Sequence, residues 1–529
     1  MTALDVEVTD VAAIRPSAVL DDAHVGDIHG AFGTIRAGDL AARGTLSAKL
    51  KTLLAVVGPG LIVMVGDNDA GAFSTYGQAG QNYGTHLLWT LLLLIPVLYV
   101  NQEMVLRLGA VTGVGHARLI LQRFGKFWGA LEVIDLFILN ALTIVTEFIG
   151  ITLAASYLGV PKIVAVLFAA GVIIATAFTG SFRAFERVAM TFCAGSLLLI
   201  PLYLMAHPSG SQMMRGFTDP GLPGGAGGGG MAAVMLLVIG IVVVVLGAAA
   251  VMGATAAAFA GTRGAGNFTD SAGLAAGVAA YAGHLAGAVF AVALLDAAII
   301  GAFAVSLSSA YAIGDVLGLK HSLHRGVGQA KGFYALYAGL ICAAATIVLI
   351  PGSPLGLITE GVQVLAGVLL PAATVFLLML CNDRAVLGPW VNSRKTNAFT
   401  GAVITVLITL SVVLTASVMF PAITAAQIVT IMAACAAAAT AAGGWLLVRG
   451  MSGTRRARRD GAAPTVVAGG GGAAGDPADR MMWRMPPLSE LPAPVIAGAR
   501  RAGLIALRCY LAVAMIMVIV KVVLMAVAH

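Results

Sequence analysis

The sequence has little charge. Only 10% of its 529 residues are Asp, Glu, Lys or Arg, while 59% are hydrophobic. A soluble protein of this size carries about a quarter charged residues, so the composition excludes an ordinary soluble protein. Many apolar runs reach the roughly 20 residues that a helix needs to cross a bilayer core. A transmembrane β-barrel would show short alternating segments instead. The composition therefore predicts an all-α polytopic protein whose first partner is the lipid bilayer.

Other absences exclude enzymes and several kinds of binding protein. The five cysteines form no CxxC pair, and the nine histidines are scattered rather than clustered. No phosphate-binding loop, nucleophile elbow or zinc-protease helix appears, so we predict no enzyme and no cofactor. The net charge of +7 comes from basic residues in loops, which indicates membrane topology rather than nucleic-acid binding. No cleavable signal peptide is recognisable at the N-terminus.

The apolar runs divide the chain into four parts. Residues 1–50 predict a disordered cytoplasmic tail, 51–449 a transmembrane transporter core, 450–500 a flexible linker and 501–529 an additional transmembrane helix. The predicted spans are approximately 52–82, 86–109, 127–157, 162–180, 186–206, 231–261, 277–312, 334–350, 355–381, 398–420, 425–448 and 502–527. Basic loops should face the cytoplasm, which predicts a multi-pass plasma-membrane protein with a cytoplasmic N-terminus.

The run at 231–261 conflicts with this topology. An even number of crossings must separate the basic loop near Arg183 from the basic loop near Lys320, but three apolar runs lie between them. As one helix, residues 231–261 would be about 46 Å long, which exceeds the roughly 30 Å bilayer core. Two spans would need about 34 residues and a turn. The run is too long for one crossing and too short for two.

A polar interruption, "GDNDAGA" at 66–72, lies inside the first predicted span. Gly66 and Gly71 disfavour a continuous helix, and a helix broken here would expose carbonyl groups at the end of its first half. Together with Asp67, Asn68 and Asp69, these carbonyls predict an oxygen-lined cation site, because carboxylates within a membrane usually mark ion paths. The alternative is an ordinary loop between two short helices.

Three further polar residues lie inside predicted spans. Glu147 and Asp296 are carboxylates deep in apolar runs, and each needs a cation, a proton or a base nearby. Gln363 precedes Pro371 in a later span. For all three, a hydrogen bond between helices is an alternative to ion contact.

With these motifs the chain resembles the NRAMP family of divalent-metal transporters, over roughly residues 50–448. The resemblance is carried by "GPGLIVMVGDNDAG", "LLLLIPVLYVNQEMVLRLGAVTGVGHA", "IVTEFIGITLA" and "GVQVLAGVLLPAATVFLLMLCNDRAVLGPWVN". It implies an inverted-repeat, LeuT-like fold whose first and sixth helices are broken at the bilayer midplane. It also implies inward movement of divalent metal ions, commonly together with protons.

The resemblance also implies residue roles. The metal ligands fall on Asp69, the Gly66 carbonyl and Gln363, and Asp67 or Asn68 stands where a missing oxygen could be supplied. Glu147 falls on the proton path, to which we add Asp296 as a candidate. Two features depart from the family pattern. The aspartate that accompanies the proton-path glutamate is replaced by Ile144, and the run at 231–261 holds no proline, histidine or carboxylate.

The sequence thus predicts a secondary transporter of divalent metal ions of the Mn²⁺, Fe²⁺ and Mg²⁺ class, with the metal as substrate and protons as the coupled ion. The first alternative is a non-transporting relative, since the run at 231–261 reads as two helices joined with residues missing between them. The second is a sodium-coupled carrier of small solutes on the same fold. The choice of metal and homo-oligomerisation are left open.

Overall fold

The computed structural model describes residues 27–36, 39, 43–219, 245–420, 423–424, 426–441, 483, 485–491, 509–510, 512 and 516. Apart from one short hairpin, the described chain is helical, as the composition predicted.

The N-terminal half begins with strands β1 (Ile28–Gly30) and β2 (Gly33–Ile35), which pair antiparallel. Its helices are α1 (Leu46–Gly66), α2 (Ala70–Tyr83), α3 (Leu88–Thr112), α4 (His116–Phe124), α5 (Lys126–Tyr157), α6 (Lys162–Phe178), α7 (Phe182–Gly195), α8 (Leu199–Ala206) and α9 (Gly210–Thr218). A single 3₁₀ turn, Ser196–Leu198, joins α7 to α8.

The C-terminal half contains α10 (Val245–Phe259), α11 (Ser271–Ala282), α12 (His284–Leu317), α13 (Lys331–Leu349), α14 (Leu355–Cys381), α15 (Arg384–Leu387), α16 (Arg394–Met419) and α17 (Ala426–Ala441). Short 3₁₀ turns occur at Gly388–Trp390 and Leu488–Glu490.

Side-chain caps explain where several of these helices begin. Thr45 accepts a hydrogen bond from the Ala48 N–H at the start of α1, and Ser181 and Ser393 do the same for α7 and α16. Such caps satisfy amide groups that have no partner within the helix, and each contributes about 1 kcal/mol. The apolar runs therefore become helices with starts that the sequence encodes locally.

Eight helical stretches in the described residues are long and apolar enough to cross a membrane: Leu46–Gly66, Leu88–Thr112, Gly129–Tyr157, Phe182–Ala206, His284–Leu317, Lys331–Leu349, Leu355–Cys381 and Arg394–Ser417. The shorter α6 is equally apolar, and its Leu167 and Phe168 are 59% and 70% exposed. Large apolar side chains that face outward from a helix bundle are stable in lipid rather than in water. The predicted multi-pass membrane architecture is confirmed.

Helices α5 and α12 form the centre of the bundle. They pack along each other, and α2 lies against both. Aromatic side chains fill the space between these helices: Phe73, Tyr76, Phe148, Phe290 and Phe303 are all at most 2% exposed. Phe73 and Phe290 meet edge to face, with ring centroids 5.9 Å apart. This packing holds α2 firmly beside the two longest central helices, so the start of α2 is well positioned.

The predicted break in the first span is confirmed. Helix α1 ends at Gly66 and α2 begins at Ala70, with three residues between them. Helix α2, with 14 residues, is about 21 Å long and is shorter than the roughly 30 Å bilayer core.

Two segments predicted to lack structure contain packed residues. Within the predicted tail 1–50, strands β1 and β2 form a hairpin that lies on α1 at Ala55. Within the predicted linker 450–500, Met485 is 5% exposed and joins an apolar cluster with Val111 and Leu380. In both cases a few apolar or small residues find a surface on the bundle, which composition alone does not reveal.

Two other predictions fall partly outside the described residues. Of the run at 231–261, the part from 231 to 244 lies outside them, and the rest contains the whole of α10. Helix α10 packs along α2, with the Gly80 backbone close to the Met252 carbonyl. Of the predicted helix 501–529, only four positions are described, and the Tyr510 hydroxyl hydrogen-bonds with the Ser411 hydroxyl.

Candidate metal centre

The break after α1 leaves a backbone carbonyl without its helical partner. In a continuous helix the Ala70 N–H would donate to the Gly66 carbonyl, four residues earlier. Here it donates to Glu147 Oε2 at 3.1 Å instead. The Gly66 carbonyl, at the partly negative end of α1, therefore does not accept the bond that a continuous helix would give it. It is a ready-made oxygen ligand.

Asp69 begins the second half of the broken helix. Its Oδ1 accepts a hydrogen bond from the Ala72 N–H at 2.7 Å, and its backbone is extended. This is ordinary N-cap geometry, and it holds the carboxylate at the mouth of the break. The bond to Ala72 uses Oδ1, and a carboxylate has two acceptor oxygens, so the side chain can cap α2 and bind a cation at the same time.

Glu147, in the middle of α5, is fully buried and lies against the break. Its Oε2 accepts from Ala70, while its Oε1 has no hydrogen-bond partner. A Cβ atom on Gly301 of α12 would lie 2.7 Å from Glu147 Oε2 and 3.0 Å from Asp69 Cβ. Asp69 and Glu147 are thus neighbours, and the missing side chain at Gly301 gives them room. Neither forms an ion pair with a described lysine or arginine.

Gln363 of α14 reaches the same place from a third side. A Cβ atom on Gly71 would lie 3.3 Å from Asp69 Oδ1 and would overlap the Gln363 side-chain amide. The amide and the Asp69 carboxylate therefore flank the same glycine. Asp69, Gly66, Gln363 and Glu147, which the sequence predicted separately, come together around residues 66–71.

These groups offer oxygen ligands to a cation. Among the described residues, no three His, Cys, Asp or Glu side chains come close enough to hold a metal ion by themselves. A metal here must therefore use the neutral Gly66 and Gln363 oxygens beside the carboxylates. Carboxylate, carbonyl and amide oxygens suit hard ions such as Mn²⁺, Mg²⁺ and Ca²⁺. A buried carboxylate pair without a basic partner gains most from a divalent ion.

The other predicted residues lie elsewhere around the break. Asp67 ends α1, where its N–H donates to the Val63 carbonyl, and its side chain is half-buried. Asn68 lies against Gly247 of α10 and lines a cavity together with Asp296. Asp296 is five residues before Gly301, roughly 140° around α12. The structure therefore groups Asn68 with Asp296, and not with Gln363 or Glu147.

A small cavity leads away from the centre on the α2 side. Its lining includes Ala70 and Thr146 near the break and Asp270 and Thr359 further out, and its volume is about 10 Å³. That is room for about one water molecule or one ion. Asp270 also caps α11, accepting from the Gly273 N–H at 2.8 Å. The cavity thus connects the break with a carboxylate at the end of a helix.

The α1 side of the break is closed by protein. Glu186 of α7 is 1% exposed and lies against Gly58 of α1. Arg183 of the same helix donates to Thr34 Oγ1 at 2.6 Å, which ties the β-hairpin to α7. These contacts pack the first half of the broken helix against α7 and the hairpin.

Two glycines contribute to the centre in a way that the sequence analysis did not predict. Gly301 and Gly71 matter because they lack a side chain, which allows carboxylate and amide groups to approach. A glycine within an apolar run, such as "AIIGAFA" around Gly301, is a weak signal, because small residues in membrane helices more often serve helix packing. Asn140, seven residues before Glu147 in α5, donates a hydrogen bond to Ser309 Oγ at 2.9 Å, which links α5 to α12.

A comparison with known families supports the resemblance found in the sequence. The profile of the Nramp family, described as natural resistance-associated macrophage protein-like, matches residues 60–242 and 231–417. Together the two stretches cover more than half of the chain. The chain belongs to the Nramp family. The two matched stretches of this Nramp chain share residues 231–242, which lie inside the apolar run at 231–261.

Curated relatives resemble parts of this Nramp chain. A divalent metal cation transporter MntH from Levilactobacillus brevis is 33% identical over 173 residues, which is 32% of this chain and 37% of that protein. An MntH from Ralstonia nicotianae is 41% identical over 116 residues, which is 21% of this chain and 25% of that protein. The chain thus spans about a third of the length of the curated relatives it matches, or less.

Solved structures show the same fold. A crystal structure of a manganese transporter from Eremococcus coleocola superposes with a TM-score of 0.56 at 19% identity. The superposition covers 79% of this chain and 97% of that one. A single-residue variant of the same transporter superposes equally well, with a TM-score of 0.55 at 18% identity over 81% of this chain and 98% of that one. The predicted inverted-repeat, LeuT-like fold with a broken first helix is confirmed.

Proposed function

We propose that this Nramp-family protein transports a divalent metal ion of the Mn²⁺ class, with Asp69 as the central ligand. The observation that carries the proposal is the meeting of Asp69 and Glu147 at Gly301, without a basic partner among the described residues. A divalent cation would compensate both charges. The names of the matched relatives, which are divalent metal and manganese transporters, support the same substrate class.

The geometry suggests a route for the ion. It would enter through the cavity between Asp270 and Ala70, shed water, and be held by Asp69, the Gly66 carbonyl and the Gln363 amide. Because the protein closes the α1 side at Glu186 and the hairpin, release requires α1 to move away from α7. The basic loops predict a cytoplasmic N-terminus. Release of the ion on the α1 side would therefore be release into the cytoplasm.

Glu147 is our candidate for the coupled proton. Its Oε1 has no hydrogen-bond partner, so it can carry a proton without breaking the bond that Oε2 accepts from Ala70. The neighbouring Asp69 disfavours a second negative charge until a metal ion binds. Metal binding at Asp69 would then release the Glu147 proton. Asp296, predicted on the same path, lies on another face of α12 and takes no part in this step.

The experiment is Mn²⁺ uptake into proteoliposomes, with Mg²⁺ as competitor and calorimetric Mn²⁺ binding as a second readout. Asp69→Asn keeps a good N-cap for α2 but removes the charge, and we expect at least tenfold lower uptake and affinity. Asp135→Asn is the matched control. It makes the same change at a carboxylate of α5 that lies about 18 Å along the helix from Glu147. Unchanged uptake in Asp69→Asn would show that the ion is bound elsewhere.

Glu147→Gln tests the coupling. Glutamine still offers an oxygen to Ala70, so we expect Mn²⁺ binding within a few-fold of wild type and uptake that no longer responds to a pH gradient. A pH response that survives in Glu147→Gln would assign the proton to another group.

One observation favours a second candidate, the non-transporting relative. The run at 231–261 is too long for one crossing and too short for two, and it holds no proline, histidine or carboxylate that could complete a metal site. Mn²⁺ binding by the wild type without any uptake would support this candidate. A sodium-coupled carrier of small solutes finds less support, because the cavity of about 10 Å³ beside the break is too small for an amino acid.

A further inference from the structure

A second small cavity lies on the opposite side of the break from Gln363. Its lining comprises Val65, Asn68, Phe73, Ser196, Leu199, Ala293, Asp296 and Ala297. These residues come from α1, the break, α2, the turn between α7 and α8, α8 itself, and α12. The cavity has a volume of about 10 Å³, close to the room that one water molecule or one small ion needs. Three of the lining side chains are polar.

Asn68 lines this cavity and has an unused acceptor. The residue is 6% exposed, and its Oδ1 has no hydrogen-bond partner. Its amide nitrogen is the atom closest to Gly247, where a Cβ atom would overlap it. A buried amide oxygen without a donor costs about 1–3 kcal/mol. Such an oxygen is stabilised by a ligand that accepts electron density, which a cation does.

Asp296 brings the charge. It lies well inside α12, and its carboxylate packs against Gly195, where any side chain would overlap it. No described lysine or arginine forms an ion pair with it. A carboxylate at this depth in a membrane protein is costly without a partner of opposite charge. The glycine at 195 makes room for the carboxylate between α7 and α12.

The balance of charge selects the kind of ion. The third polar group, the Ser196 hydroxyl, donates to the Cys193 carbonyl at 2.7 Å, so its lone pairs remain as acceptors. One carboxylate with two neutral oxygens carries a single negative charge, which a monovalent cation neutralises. We propose that Asp296, Asn68 and Ser196 form a binding site for a monovalent metal cation of the Na⁺ class.

This site is separate from the proposed divalent centre but linked to it through the chain. Asn68 and Asp69 are consecutive, and they face opposite sides of the break. A cation held by Asn68 would fix the three residues between α1 and α2, and so the position of Asp69. The proposal stands whether or not the chain transports a divalent metal, because it depends on the Asp296 cavity alone.

The test is thermal unfolding of the purified full chain in detergent, with NaCl compared with N-methyl-D-glucamine chloride at constant pH and ionic strength and without divalent ions. We expect saturating Na⁺ to raise the Tm by about 3 °C. Asp296→Asn, which is nearly isosteric, should abolish this shift. Asn68→Ala should raise the half-saturating Na⁺ concentration at least fivefold. Asp135→Asn, which changes a buried carboxylate outside the cavity, should keep the full response.

Two results would overturn the proposal. One is a wild-type Tm that does not depend on Na⁺, and the other is an Na⁺-dependent shift that persists in Asp296→Asn. A Tm that depends on pH through Asp296 but not on Na⁺ would mean that the carboxylate binds a proton instead, which also contradicts a metal-cation site. Mn²⁺ uptake measured on the same variants reports separately on Asp69, so failure of one proposal does not imply failure of the other.

Discussion

At the scale of single residues, the candidate centre depends on glycines as much as on carboxylates. Gly301 allows Glu147 and Asp69 to lie side by side, and Gly71 allows the Gln363 amide to approach the Asp69 carboxylate. Glycine inside a helix costs roughly 0.5–1 kcal/mol relative to alanine. That cost is accepted here because a methyl group would occupy the space of the charged atoms.

Gly301→Ala tests this arrangement. The added Cβ would lie 2.7 Å from Glu147 Oε2, so Glu147 or Asp69 must move away. We expect Mn²⁺ affinity to fall about tenfold while the helix itself forms at least as readily, since alanine favours helix. Calorimetric Mn²⁺ titration and the Tm measure the two effects.

The matched control for this prediction is Gly339→Ala in α13, where nothing lies within 4 Å of the added atom. It should leave Mn²⁺ affinity unchanged and the Tm equal or slightly higher. Unaltered affinity in Gly301→Ala would mean that the space beside Glu147 is not needed for the ion.

At this scale the sequence named the chemical groups but not their partners. Asp69, Glu147 and Gln363 stand out because polar residues inside apolar runs are rare. Their meeting depends on how α2, α5, α12 and α14 cross, which no local pattern encodes. For the same reason the sequence placed Asn68 beside Asp69 in one site, whereas consecutive residues in a broken helix point to opposite sides.

At the scale of elements, the broken helix and the hairpin belong together. The hairpin touches α1 at Ala55, and Arg183 and Arg187 of α7 hold it through the Thr34 hydroxyl and the Ala31 carbonyl. It therefore connects the first half of the broken helix to α7. The hairpin is therefore placed to restrain α1, the half-helix whose movement we propose would release a bound ion.

Gly30→Val is expected to detach the hairpin, because its Cβ atom would overlap the Ala55 carbonyl. Overpacking of this kind costs about 1–3 kcal/mol. We expect faster amide hydrogen exchange in the first turns of α1, residues 46–58, with little change in α5. Gly44→Val is the control, since nothing lies within 4 Å of that position. Equal exchange in both variants would show that the hairpin does not restrain α1.

Helix boundaries were the easier part of the prediction, and the hairpin was the harder one. The ends of α1 and α2 follow from Gly66 and from the Asp69 cap, which are local features. The sequence around the hairpin has too few apolar residues to predict strands. For that reason the sequence analysis predicted a disordered tail over residues 1–50. Its structure comes from the α1 and α7 surfaces on which it lies.

At the scale of the whole molecule, a distant segment completes an apolar cluster at one end of the bundle. Trp483 lies against Gly388, and Met485 packs among Leu108, Val111 and Leu380. The Met485 N–H also donates to the Val111 carbonyl at 3.4 Å. Trp483 and residues 485–491 thus lie against helices α3 and α14, far from their own position in the sequence.

Met485→Ala should lower the stability of the protein. Truncation of a buried methionine costs about 2–5 kcal/mol, which should appear as a lower Tm in detergent. Met214→Ala, at a position that is 63% exposed, should change the free energy of unfolding by at most about 0.5 kcal/mol. A Met485→Ala protein as stable as the Met214→Ala protein would show that the segment adds nothing to the bundle.

The sequence by itself determined the membrane-spanning helical architecture, the family and the break at residues 67–69, because hydrophobic run length and glycine placement act locally. Only the tertiary structure decided which polar groups meet. It brought Asp69 close to Glu147 and Gln363, and it placed Asn68 in the same cavity as Asp296. It also placed the hairpin on α1 and residues 485–491 on the bundle. These contacts arise from the crossing of helices far apart in the chain, where burial makes each unpaired oxygen costly and its nearest neighbours decisive.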